Sequence, residues 1–239
     1  MLHPLHPTHK LTDQLLQQAE EAFSRQPDQA GVVHGLRRIT QGARGRRTSL
    51  FPSRKNGITM ALESQVEVSH CLLLEQDKQV IGYRCQPLEI PYAPGRCYYP
   101  DFLVRTHDWR WRVSEIKPDK RHLDAETLLC FETVNTLLAH CGFEFCLVDA
   151  SDLPRGTHLD NLYWLYCRSA IRSWATQEIE LAQQLLSNHP HPTTFGEAQS
   201  QFIREGLPSS LVEYLLFHGQ LATSFDQPIR LNTPVWSMK

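Results

Sequence analysis

The sequence predicts an α/β domain followed by a small helical domain that closes on a hairpin, and three observations carry that reading. Strand-like runs at 80–90, 96–104 and 111–117 are separated only by Ala93-Pro94-Gly95 and Thr106-His107-Asp108, links short enough for antiparallel hairpins. A helix-period stretch at about 123–140 then leads through Gly142 into a fourth run at 143–149, which after a helix is expected to lie parallel to a neighbour. Past Pro154 the pattern turns helical.

The elements follow in order. The opening His3, Pro4, His6, Pro7, His9 stretch reads as an extended leader, and a helix is expected at 12–25 with Leu16, Ala19 and Phe23 on one face. A basic segment comes next, ending in a turn near Asn56-Gly57. Residues 60–76 read as a helix with the stripe Leu62, Val66, Ser69, Leu73, and the helix at 123–140 should carry Leu128, Phe131, Val134/Asn135 and Leu138 inward. In the last third, a helix at 171–187 stops at His189-Pro190-His191-Pro192. Thr194-x-x-Glu197 and Ser210-x-x-Glu213 have capping-box spacing, and Gly219 ends the last helix. Residues 221–225 and 229–231, joined by Asp226-Gln227-Pro228, read as a hairpin. Three helices followed by a hairpin suggest a winged-helix domain at 166–239. The α/β domain occupies 53–165, and residues 1–52 form an N-terminal helix and basic segment.

Charge is almost balanced, with 24 Lys+Arg against 26 Asp+Glu, so total charge does not point to nucleic acid. Its distribution does. Between Gln29 and Leu62 there is no acidic residue, while Arg37, Arg38, Arg44, Arg46, Arg47, Arg54 and Lys55 cluster there, a patch able to neutralise phosphates and release counterions. The plainer reading of the same patch is a solvated arm. Seven scattered cysteines without a CxxC argue against a disulfide framework or a four-cysteine zinc site. No apolar run approaches the ~20 residues that cross a bilayer. A cytoplasmic protein with no membrane partner is expected.

The residues with chemistry are Asp101, preceded by Pro100, and Glu115-Ile116-Lys117. Alternation along a strand puts Glu115 and Lys117 on one face, and the meander can bring Asp101 beside them on the neighbouring strand. Pro100 suits an edge or bulge that aims Asp101 outward. Two carboxylates held together repel unless a cation sits between them, and such oxygen ligands suit magnesium or manganese. That equipment fits phosphodiester hydrolysis: a metal polarises the phosphate and activates water, and Lys117 orients the water or neutralises developing charge. A third carboxylate is available from Glu63 or Glu67, one helical turn apart.

The ordered set Ser-Arg-Lys-Asn-Gly at 53–57, Ser64-Gln65-Val66-Glu67, Leu72-Leu73-Leu74-Glu75, Gln79-Val80-Ile81, Gln86-Pro87, Tyr99-Pro100-Asp101-Phe102-Leu103-Val104 and Glu115-Ile116-Lys117-Pro118 resembles the TnsA family, the endonuclease subunits of Tn-seven-like transposons. The resemblance runs over 53–149 and is weaker beyond. It implies a restriction-endonuclease-like core of the PD-(D/E)xK type. The family's helix glutamate falls on Glu67, with Glu63 the runner-up, its aspartate on Asp101 and its lysine on Lys117. Glu115 stands where some members have glutamine. The metal ligands implied are Glu67, Asp101 and Glu115, with Mg2+ as cofactor and Mn2+ able to substitute. Cleavage of the 5′, non-transferred strands at transposon ends is implied, with a TnsB-like transposase joining the 3′ ends and a TnsC-like ATP-dependent regulator licensing the cut, all in a bacterial cytoplasm.

The helix at 209–218 carries no lysine or arginine, unlike a helix that reads DNA. It is therefore expected to bind protein, through Leu215 and Phe217, and DNA contact is expected from 37–55 and from Arg96, Arg105, Lys120 and Arg121. Two other readings compete: a freestanding restriction or repair nuclease on the same fold, and a catalytically dead scaffold. Intact Asp101, Glu115 and Lys117 argue against the scaffold.

Overall fold

The computed structural model describes residues 7–36, 48–187 and 193–237 of the 239-residue chain, and its internal contacts divide into two units, Met1–Leu153 and Pro154–Lys239. The expected boundary at 165/166 moves to 153/154, because the helix that follows Pro154 packs within the second unit. The segment expected to stand apart at 1–52 belongs to the first.

The first unit opens with α1 (Pro7–Ser24), then β1 (Val32–Val33), β2 (Ser49–Ser53) and β3 (Ile58–Leu62). β1 pairs parallel and β2 antiparallel with β3, making a small sheet. The β2–β3 turn is the one expected at Asn56-Gly57, and Gly57 takes the left-handed backbone (φ +63°) that favours glycine. The helix expected at 60–76 is shorter, α2 (Gln65–Gln76). Residues 60–62 belong to β3, where the ladder to β2 claims their backbone. Ser64 then caps α2 by accepting the Glu67 N–H (3.1 Å). In α1 the buried stripe is Leu15, Ala19 and Ala22, one position away from the expected Leu16 face.

The central sheet comes from β4 (Val80–Cys85), β7 (Phe102–Thr106), β8 (Trp111–Lys117) and β9 (Phe143–Asp149), in that spatial order. β4–β7 and β7–β8 are antiparallel and β8–β9 is parallel, as expected from the hairpins and the crossover helix α3 (Ala125–His140). The run expected at 80–90 ends as β4 at Cys85, and only its last residue, Ile90, joins the first part of the run expected at 96–104 in a separate hairpin, β5 (Ile90–Ala93) and β6 (Arg96–Tyr98), outside the central sheet. Tyr99-Pro100-Asp101 joins β6 to β7; a proline that cannot donate marks the break between them. One face of the sheet supplies Leu103 and Val113 to a core with Leu15 and Ala19 of α1 and Val134, Leu138 and Cys141 of α3 and its cap. Each fully buried aliphatic side chain there contributes about 2 kcal/mol. Phe131, Val134 and Leu138 face inward as expected, but Leu128 is 44% exposed: it lies in the solvent-facing first turn of α3, before the helix packs down.

The second unit contains α4 (Thr157–Ser169), α5 (Thr176–Ser187), β10 (Thr193–Thr194), α6 (Phe195–Arg204), α7 (Leu211–Phe217), β11 (Leu221–Ala222) and β12 (Pro234–Ser237). The helix α4 was not expected, and α5 starts later than predicted. Thr194 and Glu197 form a full capping box at α6. Ser210 makes no side-chain cap at α7, and Glu213 turns inward to Arg168 of α4 (2.6 Å). The hairpin partner of β11 is β12 rather than 229–231, with β10 on the other side of β12. Residues 1–6 of the leader and the expected break at 189–192 lie outside the described residues.

Candidate functional site

The antiparallel register pairs Phe102 with Ser114, so one step further places Asp101 opposite Glu115, with Lys117 two residues along on the same face as Glu115. This is the face that carries Leu103 and Val113 into the core with α3, and Glu115 is only 4% exposed. Its Oε1 pairs with Lys117 Nζ (2.7 Å), and its Oε2 accepts the Tyr98 hydroxyl (2.6 Å) and the Asp101 N–H (3.3 Å). Asp101 in turn accepts the Ile116 N–H on Oδ2 (2.8 Å). The two acids are thus bound to each other's strands through the backbone, which fixes both without neutralising either.

The electrostatic consequence falls on Asp101. Burial, then the charge of Glu115 and more weakly that of Glu67, push its carboxyl up to about 7, against the opposing effects of the Ile116 N–H and of Lys117. The raised Asp101 pKa reflects burial together with an excess of negative charge that a divalent cation would answer.

Glu67 approaches from α2. Its carboxylate accepts the Ser64 hydroxyl (2.9 Å) and the Glu63 N–H (3.0 Å), a local cap that orients it. Of the two glutamates expected on one helix face, Glu63 lies before the N-cap and outside α2, and Glu67 is the one whose charge reaches Asp101. Among the described residues no group of three or more His, Cys, Asp and Glu side chains is gathered closely enough to hold a metal ion. The structure thus brings Asp101, Glu115 and Lys117 together, with Glu67 a charged neighbour held by its own cap. The pair of hard carboxylate oxygens fits a divalent cation on the chemistry of its donors. Asp149, opposite Lys117 on β9, adds no free oxygen to this end: it accepts the Lys120 N–H (3.0 Å) and the Ser151 N–H (2.8 Å), bonds that hold its carboxyl below the usual range.

Tyr98 is the site residue that sequence reasoning missed. Its ring meets Phe131 of α3 and Phe145 of β9 edge-on, at centroid distances of 5.9 and 6.4 Å. The available signal was the break at Tyr99-Pro100-Asp101, which separates Tyr98 from β7 and lets it fold back over Glu115.

The expected nucleic-acid contacts divide. Arg37, Arg38, Arg44, Arg46 and Arg47 lie outside the described residues. Arg54 is exposed. Lys55 is not a surface cation: its ammonium donates to the backbone carbonyls of Asp77 and Val80 (2.8 Å to the latter), and burial lowers its pKa. It closes the turn before β4, which withdraws it from the set expected to meet phosphates. Arg96 pairs with Glu126 and Arg121 with Asp119, exposed pairs that exchange readily, and Arg105 stacks over Trp109 (4.3 Å). In the second unit Leu215 and Phe217 are 0% and 1% exposed, so neither side chain offers a docking surface. They form the core between α7 and its neighbours, with Phe217 against Tyr166 of α4 (5.3 Å). All seven cysteines are free, and among the described residues no helix is long and apolar enough to cross a membrane.

Residues 77–150 match the family described as TnsA-like endonuclease N terminal. The matched segment contains Tyr98, Asp101, Glu115 and Lys117 and excludes Glu67 and the second unit. The resemblance read from the sequence is upheld over that segment, and the mixed α/β architecture fits a restriction-endonuclease-like core. No curated protein matches the chain.

Proposed function

We propose that this chain is the nuclease subunit of a cut-and-paste transposase, cleaving the 5′, non-transferred strands at transposon ends with Mg2+, or Mn2+ in its place. The observation that carries the reading is Asp101 facing Glu115 across two strands with Lys117 on Glu115, inside the segment similar to TnsA-like endonucleases. Asp101 and Glu115 are the side chains to hold the cation, with Glu67 as the helix carboxylate at its edge. When bound, the cation supplies positive charge at the scissile phosphate and activates water. Lys117 keeps an ammonium with three donors at the partly open mouth, where it orients water and offsets charge developing on the phosphoryl oxygens. The Ile116 N–H holds Asp101 in line for its part, and α3 shields the inner side of the site from bulk water.

The partners proposed are transposon-end DNA, a TnsB-like transposase and a TnsC-like regulator, in a bacterial cytoplasm. The second unit is proposed as a winged helix preceded by α4: from α5 onward its helix–strand–helix–helix–strand–strand order and its sheet order β10-β12-β11 support that reading. Its last helix, α7, is buried at six of its seven positions and carries no lysine or arginine, which argues against DNA reading by that helix; protein contact by this unit is proposed through surfaces outside α7.

Reconstitution with TnsB- and TnsC-like proteins on a strand-labelled end tests this. Mg2+-dependent breaks confined to the 5′ strands are expected, and only in the full mixture. Equal cutting of both strands by the chain alone favours a freestanding nuclease and overturns the transposase reading.

A further inference from the structure

We infer that Tyr98 is a positioning residue: its hydroxyl holds Glu115 in the orientation from which Glu115 and Asp101 together take a divalent cation. The inference rests on the metal-site reading above and deepens it.

Glu115 is gripped at both ends. Lys117 Nζ holds Oε1 at 2.7 Å and the Tyr98 hydroxyl holds Oε2 at 2.6 Å, so the plane of the carboxylate is fixed by two donors rather than one. These donors differ in kind. Lys117 is partly open to solvent on a flexible stem and is free to turn toward a phosphate. Tyr98 is anchored independently of Glu115, by its place in β6 opposite Ile90 and by edge contacts with Phe131 and Phe145. Facing a carboxylate oxygen, which can only accept, its hydroxyl is the donor of this bond. A carboxylate oxygen has two acceptor positions: Tyr98 and the Asp101 N–H take those of Oε2, and Oε1, with Lys117 on one, keeps the other for a cation. The remaining contact to Oε2, the Asp101 N–H at 3.3 Å, is too long to hold the group alone. The β5–β6 hairpin, which shares no ladder with the central sheet, thereby acts on the chemistry of that sheet through one hydroxyl.

The test uses the full chain without DNA and Mn2+ as probe, with binding read by water-proton relaxation, which follows weak association. Tyr98→Phe keeps the ring and its packing and removes the bond. It is expected to weaken Mn2+ binding by about 10–100-fold, the usual range for a group that orients a metal ligand. The same substitution in a Glu115→Ala background should add nothing, because Tyr98 acts only through Glu115. Wild-type affinity in Tyr98→Phe overturns the assignment. An equal loss in the Glu115→Ala background does so too, since it marks a packing role. Asp101→Ala separates the two levels of the argument: if it binds Mn2+ as the wild type does, the metal site itself is wrong and the role of Tyr98 falls with it, whereas loss in Asp101→Ala alongside a silent Tyr98→Phe removes Tyr98 alone.

Discussion

Each unit buries a glutamate against a basic side chain, Glu115 against Lys117 in the first and Glu213 against Arg168 in the second. Glu213 is 0% exposed and takes Arg168 Nε at 2.6 Å and Gln199 at 3.4 Å, with its other oxygen buried and unpartnered. One acid meets one guanidinium, so charge closes locally, and the bond staples α4 to α7. Among the described residues Glu115 has one ammonium, that of Lys117, to share with Asp101 directly opposite, and the pair carries an excess of negative charge. A third buried acid, Glu75, is satisfied by the Ser53 and Tyr83 hydroxyls (2.5 and 2.7 Å) and the Lys55 N–H, without an ion pair among the described residues. Burial of a carboxylate is common to all three. What distinguishes the site is a second carboxylate on the adjacent strand, whose charge adds to burial in raising the Asp101 pKa.

Substitutions should separate these cases, the largest effect falling on the site. Asp101→Ala is expected to cut metal-dependent nicking by about a thousandfold, comparable to losing a main electrostatic contributor to catalysis, with an unchanged circular dichroism spectrum. Retained nicking would put the chemistry elsewhere. In the second unit, Arg168→Met leaves Glu213 uncompensated and should lower stability by about 2–3 kcal/mol in chemical denaturation, below the full figure for a buried pair because Arg168 is half-exposed. An unaltered midpoint there would mean that Glu213 finds another partner.

The pH dependence gives a smaller, signed effect. Asp101 holds its proton up to about 7 in the folded protein and releases it near 3.8 when unfolded, so the folded state binds the extra proton between those values and loses stability as pH rises through them. Asp101→Asn escapes that loss. Its melting advantage over the metal-free wild type should be nil below pH 4, grow through pH 4–7 and level off above, at about 2 kcal/mol after allowance for partial solvation. An advantage independent of pH would refute the excess-charge account. Smallest is Lys55→Met, expected to lose about 1 kcal/mol with two backbone carbonyls stripped of a donor, while DNA affinity measured by anisotropy stays the same. A clear fall in DNA affinity would return Lys55 to the phosphate-binding set.

Much of the first unit was legible because its signals are local. Short turns forced the hairpins, Gly142 ended α3, and strand alternation placed Glu115 and Lys117 on one face. What escaped was decided at a distance. Residues 60–62 have a helical apolar spacing, yet β2, from across a turn, claims them as strand. Glu213 stands at capping-box spacing from Ser210, but Arg168, 45 residues earlier, draws it inward. Leu215 and Phe217 looked like an apolar docking face until α4, itself unforeseen, covered α7. Tyr98 was invisible for the same reason: only the folding of β6 over α3 and β9 brings its hydroxyl to Glu115.

The central claim is that leftover negative charge at Asp101 and Glu115 is there to receive a divalent cation. Crystals of the full chain soaked in Mn2+ and measured at the manganese absorption edge address it directly. The account predicts an anomalous peak between the Asp101 and Glu115 carboxylates, with the Ile116 N–H bond to Asp101 retained. A peak bound elsewhere, or none at saturating Mn2+ with Asp101 still protonated against Glu115, would contradict it.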